Sequence, residues 1–102
     1  MARMFAFYKL KPGADVEAFK KHMATVDQPA CRKFPGVRRF DVFVLKTTKG
    51  SFPFDVAEVI DVDSFDVWEK LCTDPEHQPL IEAWKQYGNE TSLAFVQGEG
   101  TE

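Results

Sequence analysis

Two stretches of this chain are apolar at every position where a half-exposed strand would be apolar at every second one. They are Met4-Phe5-Ala6-Phe7-Tyr8 and Val42-Phe43-Val44-Leu45. A strand sends alternate side chains to opposite faces of its sheet, so both faces here must be kept from water. Helices can cover one face. The other is expected to meet the same face of a second copy, as in an isologous dimer. At about 25 cal/mol per Å² of apolar area, leaving four or five such side chains wet forfeits a sum comparable with the whole stability of a small domain.

The order of elements follows from punctuation and spacing. Residues 4–10 read as a strand closed by Pro12-Gly13, and Asp15 is placed to cap a helix. Val16, Phe19, Met23 and Val26 then recur at i, i+3, i+7 and i+10, one face of that helix. Pro29 restarts a short turn carrying Ala30, Cys31 and Phe34, which Pro35-Gly36 stops. Residues 37–46 and 54–62 read as a hairpin turning at Lys49-Gly50. Asp63 or Ser64 caps a helix with Phe65, Trp68, Leu71 and Cys72 inward, ended by Asp74-Pro75. A last helix starts near Pro79, capped by His77 or Gln78, carries Leu80, Ile81, Trp84 and Tyr87, and stops at Gly88. Residues 92–97 close as a fourth strand. The order β-α-β-β-α-β is that of an α+β, ferredoxin-like fold. Residues 1–97 are expected to form a single domain and 98–102 a flexible polar tail.

Charge and length exclude several classes. The 102 residues suit one domain, and 13 Lys and Arg against 16 Asp and Glu leave a net charge of −3, which does not attract nucleic acid or anionic lipid. No apolar run approaches the roughly 18 residues of a membrane span, and no signal segment opens the chain, so a cytoplasmic location is expected. Cys31 and Cys72 are expected to be reduced, buried thiols. Ten Phe, two Trp and two Tyr are a heavy aromatic load for so short a chain and again point to a partner surface.

No phosphate loop, nucleophile elbow, Cys-x-x-Cys or His-Glu-x-x-His is present, so neither a cofactor nor a metal is expected; His22, Cys31, Cys72 and His77 do not have zinc spacing. Candidate chemistry rests on single residues. Helical counting puts His22 beside Phe19 and Val26 on one flank of the buried stripe and Asp27 on the other, where they can bracket a pocket between helix and sheet. A half-buried histidine bonded to a carbonyl, and an aspartate capping the Pro29 turn, are the structural alternatives. Glu58 is the strongest oddity. Counting by two along its strand gives Phe54, Val56, Glu58, Ile60 and Val62 on one face, and a carboxylate among apolar neighbours must be paired or protonated. Arg39 or Arg38 on the adjacent strand is its expected partner, the alternative being a tuned acid or base lining a cavity. Tyr8, Trp68, His77, Trp84 and Tyr87 can wall a flat hydrophobic ligand or simply fill a core. Arg32, Lys33, Arg38 and Arg39 flank the Pro35-Gly36 turn as a solvated rim, unless one turns inward to hold a ligand oxygen.

The whole arrangement resembles the dimeric α+β barrel superfamily, which includes cofactor-free monooxygenases, haem-degrading monooxygenases, EthD-like proteins and small polyketide cyclases. Within it, Tyr8-Lys9-Leu10-Lys11-Pro12-Gly13, Val26-Asp27-Gln28-Pro29, and Phe34-Pro35-Gly36-Val37 with Phe40-Asp41-Val42 resemble the RedY-like proteins, of HapK and PigK type, of prodigiosin-class pigment biosynthesis. The resemblance implies a homodimeric accessory protein that binds a planar, pyrrole-containing intermediate and assists its cyclisation or proton transfer. It brings no settled set of catalytic residues. By position, His22, Asp27 and Glu58 are the proton-handling candidates, Arg39 the orienting group, and Tyr8, Trp68, His77 and Trp84 the substrate walls. Haem-degrading relatives use Asn, Trp and His; the only Asn here is Asn89, past the last helix, which argues against haem. A cofactor-free monooxygenase of an aromatic substrate, or a non-catalytic partner that stabilises a pathway enzyme, are the alternative functions.

Overall fold

The computed structural model describes all residues, 1–102. Four antiparallel strands, β1 (Ala2–Tyr8), β2 (Val37–Val44), β3 (Val56–Val62) and β4 (Ala94–Gly98), lie in the order β2-β3-β1-β4, the ferredoxin-like α+β arrangement expected from the sequence. Between β1 and β2 run α1 (Val16–His22), a π-helical segment (Met23–Asp27) and α2 (Gln28–Arg32); α3 (Phe65–Thr73) and α4 (Gln78–Trp84) follow β3. Asp15 caps α1 by accepting the Ala18 amide at 3.0 Å. Asp74 caps the 3-10 turn Pro75–His77 in the same way. His77 stands at the start of α4 but makes no capping bond.

Several boundaries move. The first strand ends at Tyr8, and Leu10 forms only an isolated bridge to Gly88. The hairpin strands are shorter than expected because residues 45–55 fold back on the sheet, tied by Leu45 N–H to the Asp55 carbonyl at 2.8 Å. The last helix stops at Trp84, before Tyr87, and the fourth strand takes in Gly98, which the sequence reading assigned to the tail.

The helix-facing side of the sheet carries Met4, Ala6 and Tyr8 from β1, Phe40 and Val42 from β2, and Val56, Glu58, Ile60 and Val62 from β3. Its core divides in two. Met4, Ala6, Phe40, Ile60 and Val62 pack with Cys31, Val37 and Leu71, whereas Tyr8 and Val56 pack with Phe19 and Met23. Glu58 stands between Val56 and Ile60 on β3, at the seam between these clusters. A carboxyl there cannot join either apolar cluster as a hydrocarbon would.

The opposite side has no helices. It presents Phe5, Phe7, Phe43, Val59 and Val96, and the returning loop adds Phe52 and Phe54, whose rings lie 5.6 and 5.8 Å from that of Phe7. Phe43, Phe52 and Val96 remain 51%, 45% and 47% exposed in the single chain. Polar groups on this face neutralise one another: Asp61, almost fully buried, accepts a bidentate pair from Arg3 at 2.7 Å.

Gly36 carries the turn into β2 at φ +91°, and a Cβ there would stand 2.7 Å from a Val67 methyl on α3. Gly50 has φ +75° with open space around it. Both alanine variants pay the left-handed backbone cost, of order 1–3 kcal/mol, but Gly36→Ala adds a clash with packed α3. In urea unfolding, Gly36→Ala is expected to lower the midpoint clearly more than Gly50→Ala.

Candidate functional site

A cavity of about 370 Å³ lies between the sheet and α2, α3 and α4. The sequence builds it through spacing. Phe19, Met23, Asp27 and Cys31 are the buried residues of the first helical stretch, each four apart. In a regular α-helix a four-residue step overshoots a full turn by about 40°, so this series would wind off the buried face. The π-helical turn at Met23–Asp27 is wider, takes up that drift and carries Asp27 to the sheet. Val16 and Val26, expected on the buried stripe, are instead 39% and 44% exposed.

Asp27 is only 7% exposed, caps nothing, and lines the cavity. Burial pushes its carboxyl up from 3.8 to about 6. Glu58 is 7% exposed and accepts the Tyr8 hydroxyl at 2.7 Å. Tyr8 reaches it diagonally, since Ala6 is directly opposite Glu58 and Tyr8 is opposite Val56. Burial is the main cause that raises Glu58 from 4.5 to about 8; the Tyr8 bond opposes the rise and the nearby Asp27 charge adds to it. Burial, together with Glu58, lifts the Tyr8 phenol far above its usual range. The cavity therefore holds two carboxyls that titrate near neutrality, as general acids and bases must.

Aromatic rings form the walls. Trp84 meets Tyr8 edge to face at 4.9 Å, and Trp68 stacks on Phe40 at 5.9 Å and meets Phe95 at 6.0 Å. His77 lies edge-on to Phe34 at 5.3 Å, with both ring nitrogens buried and without a hydrogen bond, Nδ1 standing 3.8 Å from an Asp74 carboxylate oxygen. Gly88 is required beside Trp84, because a Cβ there would stand 2.4 Å from the indole.

Of the residues singled out in the sequence, Tyr8, Asp27, Glu58, Trp68, His77 and Trp84 converge on this cavity. Two do not. The ring of His22 packs 5.6 Å from that of Tyr87, outside the cavity lining. Arg39 is on the helix-free face beside Asp61 at 3.5 Å and Asp41 at 3.7 Å, so it neither pairs with Glu58 nor orients a ligand in the cavity. The cause is a bulge in β2: Val37 pairs with Val62 but Arg39 with Asp61, and the extra residue reverses which side chains face the helices. Arg38 is likewise taken by Asp63 at 2.7 Å. Sequence reasoning missed Cys31, Phe40, Leu71, Cys72 and Phe95 as lining residues. The four-residue series ending at Cys31 and the phase of the last strand were the available signals. Cys31 and Cys72 are free thiols, both raised by burial, Cys72 to about 11. No three His, Cys, Asp or Glu side chains come together as a metal set, and no helix is long and apolar enough to cross a membrane.

A four-stranded antiparallel sheet with one helix-covered face and a carboxyl-bearing cavity beneath it defines a small ferredoxin-like α+β fold. The chain belongs to the family of the REDY-like protein HapK, whose model matches residues 2–99. It is similar to the crystal structure of HapK from Hahella chejuensis, with a TM-score of 0.80 and 22% identity over 98% of this chain and 92% of that one. An ethyl tert-butyl ether D (EthD) family protein from Bacillus halodurans shares the fold at a TM-score of 0.70, with 22% identity and 99% coverage of both chains. A dimeric protein of ferredoxin-like fold from Bacteroides fragilis does so at 0.68, with 19% identity over 97% of this chain and 95% of that one. The chain matches no curated protein.

The carboxyls make stability depend on pH. Glu58 binds its proton more tightly folded than unfolded, so its contribution is fully present below about pH 4.5 and is lost as pH rises toward about 8. Asp27 adds the same trend between 3.8 and about 6. Unfolding free energy is expected to fall across this range, by at most about 1.4 kcal/mol per pH step for each group. Glu58→Gln, which keeps an acceptor for Tyr8, is expected to flatten the part above pH 6 in urea titrations.

Proposed function

We propose that this is a small homodimeric accessory protein of prodigiosin-type pigment biosynthesis, whose cavity binds a planar pyrrolic intermediate and assists its cyclisation or proton transfer. The observation that carries the reading is the meeting of Asp27 and Glu58, two buried carboxyls tuned toward neutrality, inside an aromatic-walled cavity of about 370 Å³. That volume accommodates a two-ring ligand. Glu58, relayed through Tyr8, and Asp27 are the proton-handling groups of this reading; Trp68, Trp84 and His77 are its walls. Membership of the HapK family and the pigment-pathway motifs support the setting. Titration with 2,2′-bipyrrole-5-carbaldehyde is expected to quench Trp68 and Trp84 fluorescence saturably, at one ligand per chain, and to raise the thermal midpoint. Absence of both responses would falsify the reading, and oxygen uptake with a naphthol would replace it by the monooxygenase alternative.

The dimer is supported by the apolar helix-free face and by the dimeric Bacteroides fragilis protein of like fold. Phe43 and Val96 are exposed near opposite edges of that face, where a charge costs little within one chain but is buried in a dimer. Sedimentation is expected to give a dimer for the natural chain and a folded monomer for the Phe43→Glu, Val96→Glu double variant. A natural chain that sediments as a monomer at micromolar concentration would remove the dimer.

A further inference from the structure

α4 is unlike the other helices on its side of the sheet. α1, the π-helical segment, α2 and α3 each bury at least one side chain: Phe19, Met23 with Asp27, Cys31 and Leu71 in turn. α4 buries none. Its apolar residues Leu80 and Ile81 line the cavity and belong to neither core cluster. A helix of seven residues with no buried face has little to hold it down, since helices so short owe their stability to packing.

The two ends of this stretch are held differently. At its far end Trp84 packs edge to face on Tyr8 at 4.9 Å. The chain beyond Trp84 is tied to the residues after β1, Lys11 N–H donating to the Tyr87 carbonyl and Asn89 N–H to the Lys9 carbonyl, each at 2.8 Å. Lys85 adds an ion pair to Glu90 at 3.1 Å. At the near end α3 stops at Asp74, whose extended backbone, ψ 125°, separates it from the 3-10 turn Pro75–His77. The side-chain bonds there are local: Asp74 accepts the Glu76 amide at 3.0 Å, and Gln78 donates to the Cys72 and Asp74 carbonyls at 3.0 and 3.2 Å. Neither reaches the sheet. His77 makes closure costly as well. Packed on Phe34 at 5.3 Å, it buries both ring nitrogens without a hydrogen bond, and Asp74 at 3.8 Å is too far to supply one. Each nitrogen is taken from water with nothing in return, and lifting the turn rehydrates both.

We propose that residues 75–81, the 3-10 turn and the first half of α4, form a lid over the cavity, lifting as a flap between Asp74 and the anchored Trp84 to admit the ligand and closing over it. The inference rests on the cavity being the ligand site and adds how that site is entered. A flat apolar ligand supplies Leu80 and Ile81 with the contact that the core does not, so the closed lid is the state that binding favours. Low local stability in a segment that covers a site is what such a motion requires.

Amide hydrogen exchange on the natural chain tests this without any substitution. The amides of residues 76–83 are expected to exchange at least about tenfold faster than those of α3, a helix on the same side of the sheet. Saturating 2,2′-bipyrrole-5-carbaldehyde, its binding followed separately by tryptophan fluorescence, is expected to slow them about tenfold or more. His77→Phe keeps the ring against Phe34 and removes the two orphaned nitrogens. It is expected to slow exchange in 76–83 by about threefold or more with α3 unchanged, and to slow ligand association in stopped-flow mixing. Exchange in 76–83 no faster than in α3 overturns the proposal. So does fast exchange that a bound ligand leaves unaltered, and in both cases the cavity stands as a ligand site. If fluorescence shows no binding at all, the ligand-site reading falls and the lid with it.

Discussion

A carboxyl group placed in the core-facing row of a central strand has few ways to be tolerated, and Glu58 uses two of them. It accepts the Tyr8 hydroxyl at 2.7 Å, and burial raises its pKa so that it is largely protonated at neutral pH. Other features of the site follow from that accommodation. The core parts into two clusters on either side of Glu58, and the cavity occupies the space against it. Tyr8, which a purely apolar core would fill with Phe or Leu, is held with its ring edge against Trp84 and its hydroxyl inward. The presence of the carboxyl costs stability as pH rises, a pattern more common in groups kept for binding or chemistry than in groups kept for folding.

The two faces of the sheet solve opposite problems. Beneath the helices, aromatic rings line a cavity. On the helix-free side, rings accumulate where no helix exists to cover them, with Phe52 and Phe54 returning from the long hairpin loop to widen the apolar surface around Phe7. The arginines lie mainly on the surface and on that second side, each engaged by an aspartate. This partition leaves Lys85, paired with Glu82 and Glu90, as the one lysine or arginine in the cavity lining.

Much of this was readable along the chain because period and punctuation are local properties. Asp15 capping α1, Pro12-Gly13 ending the first strand region, Gly36 turning into β2 and the inward set of α3 all depend on residues a few positions apart. The burial of Glu58 was visible for the same reason, since alternation along one strand needs no knowledge of its neighbours. The readings that failed depended on relations that alternation cannot supply. Arg39 or Arg38 was expected beside Glu58, but one extra residue in β2 sends Arg39 to the other face and Asp63 takes Arg38. Val26 was placed inside and His22 beside the cleft on an unbroken α-helical period, which the π-helical turn shifts.

The sequence by itself determined the order of elements, the apolar character of both sheet faces and the presence of a carboxyl that had to be accommodated inside. These follow from side-chain chemistry and from the fixed repeat of helix and strand. Only the tertiary structure decided which group accommodates it. That choice belongs to the register between β1 and β3, which sets Tyr8 diagonally across from Glu58, and to the widened helical turn that brings Asp27 to the same space. Both are agreements between segments distant in the chain, settled by packing, and no local pattern encodes them.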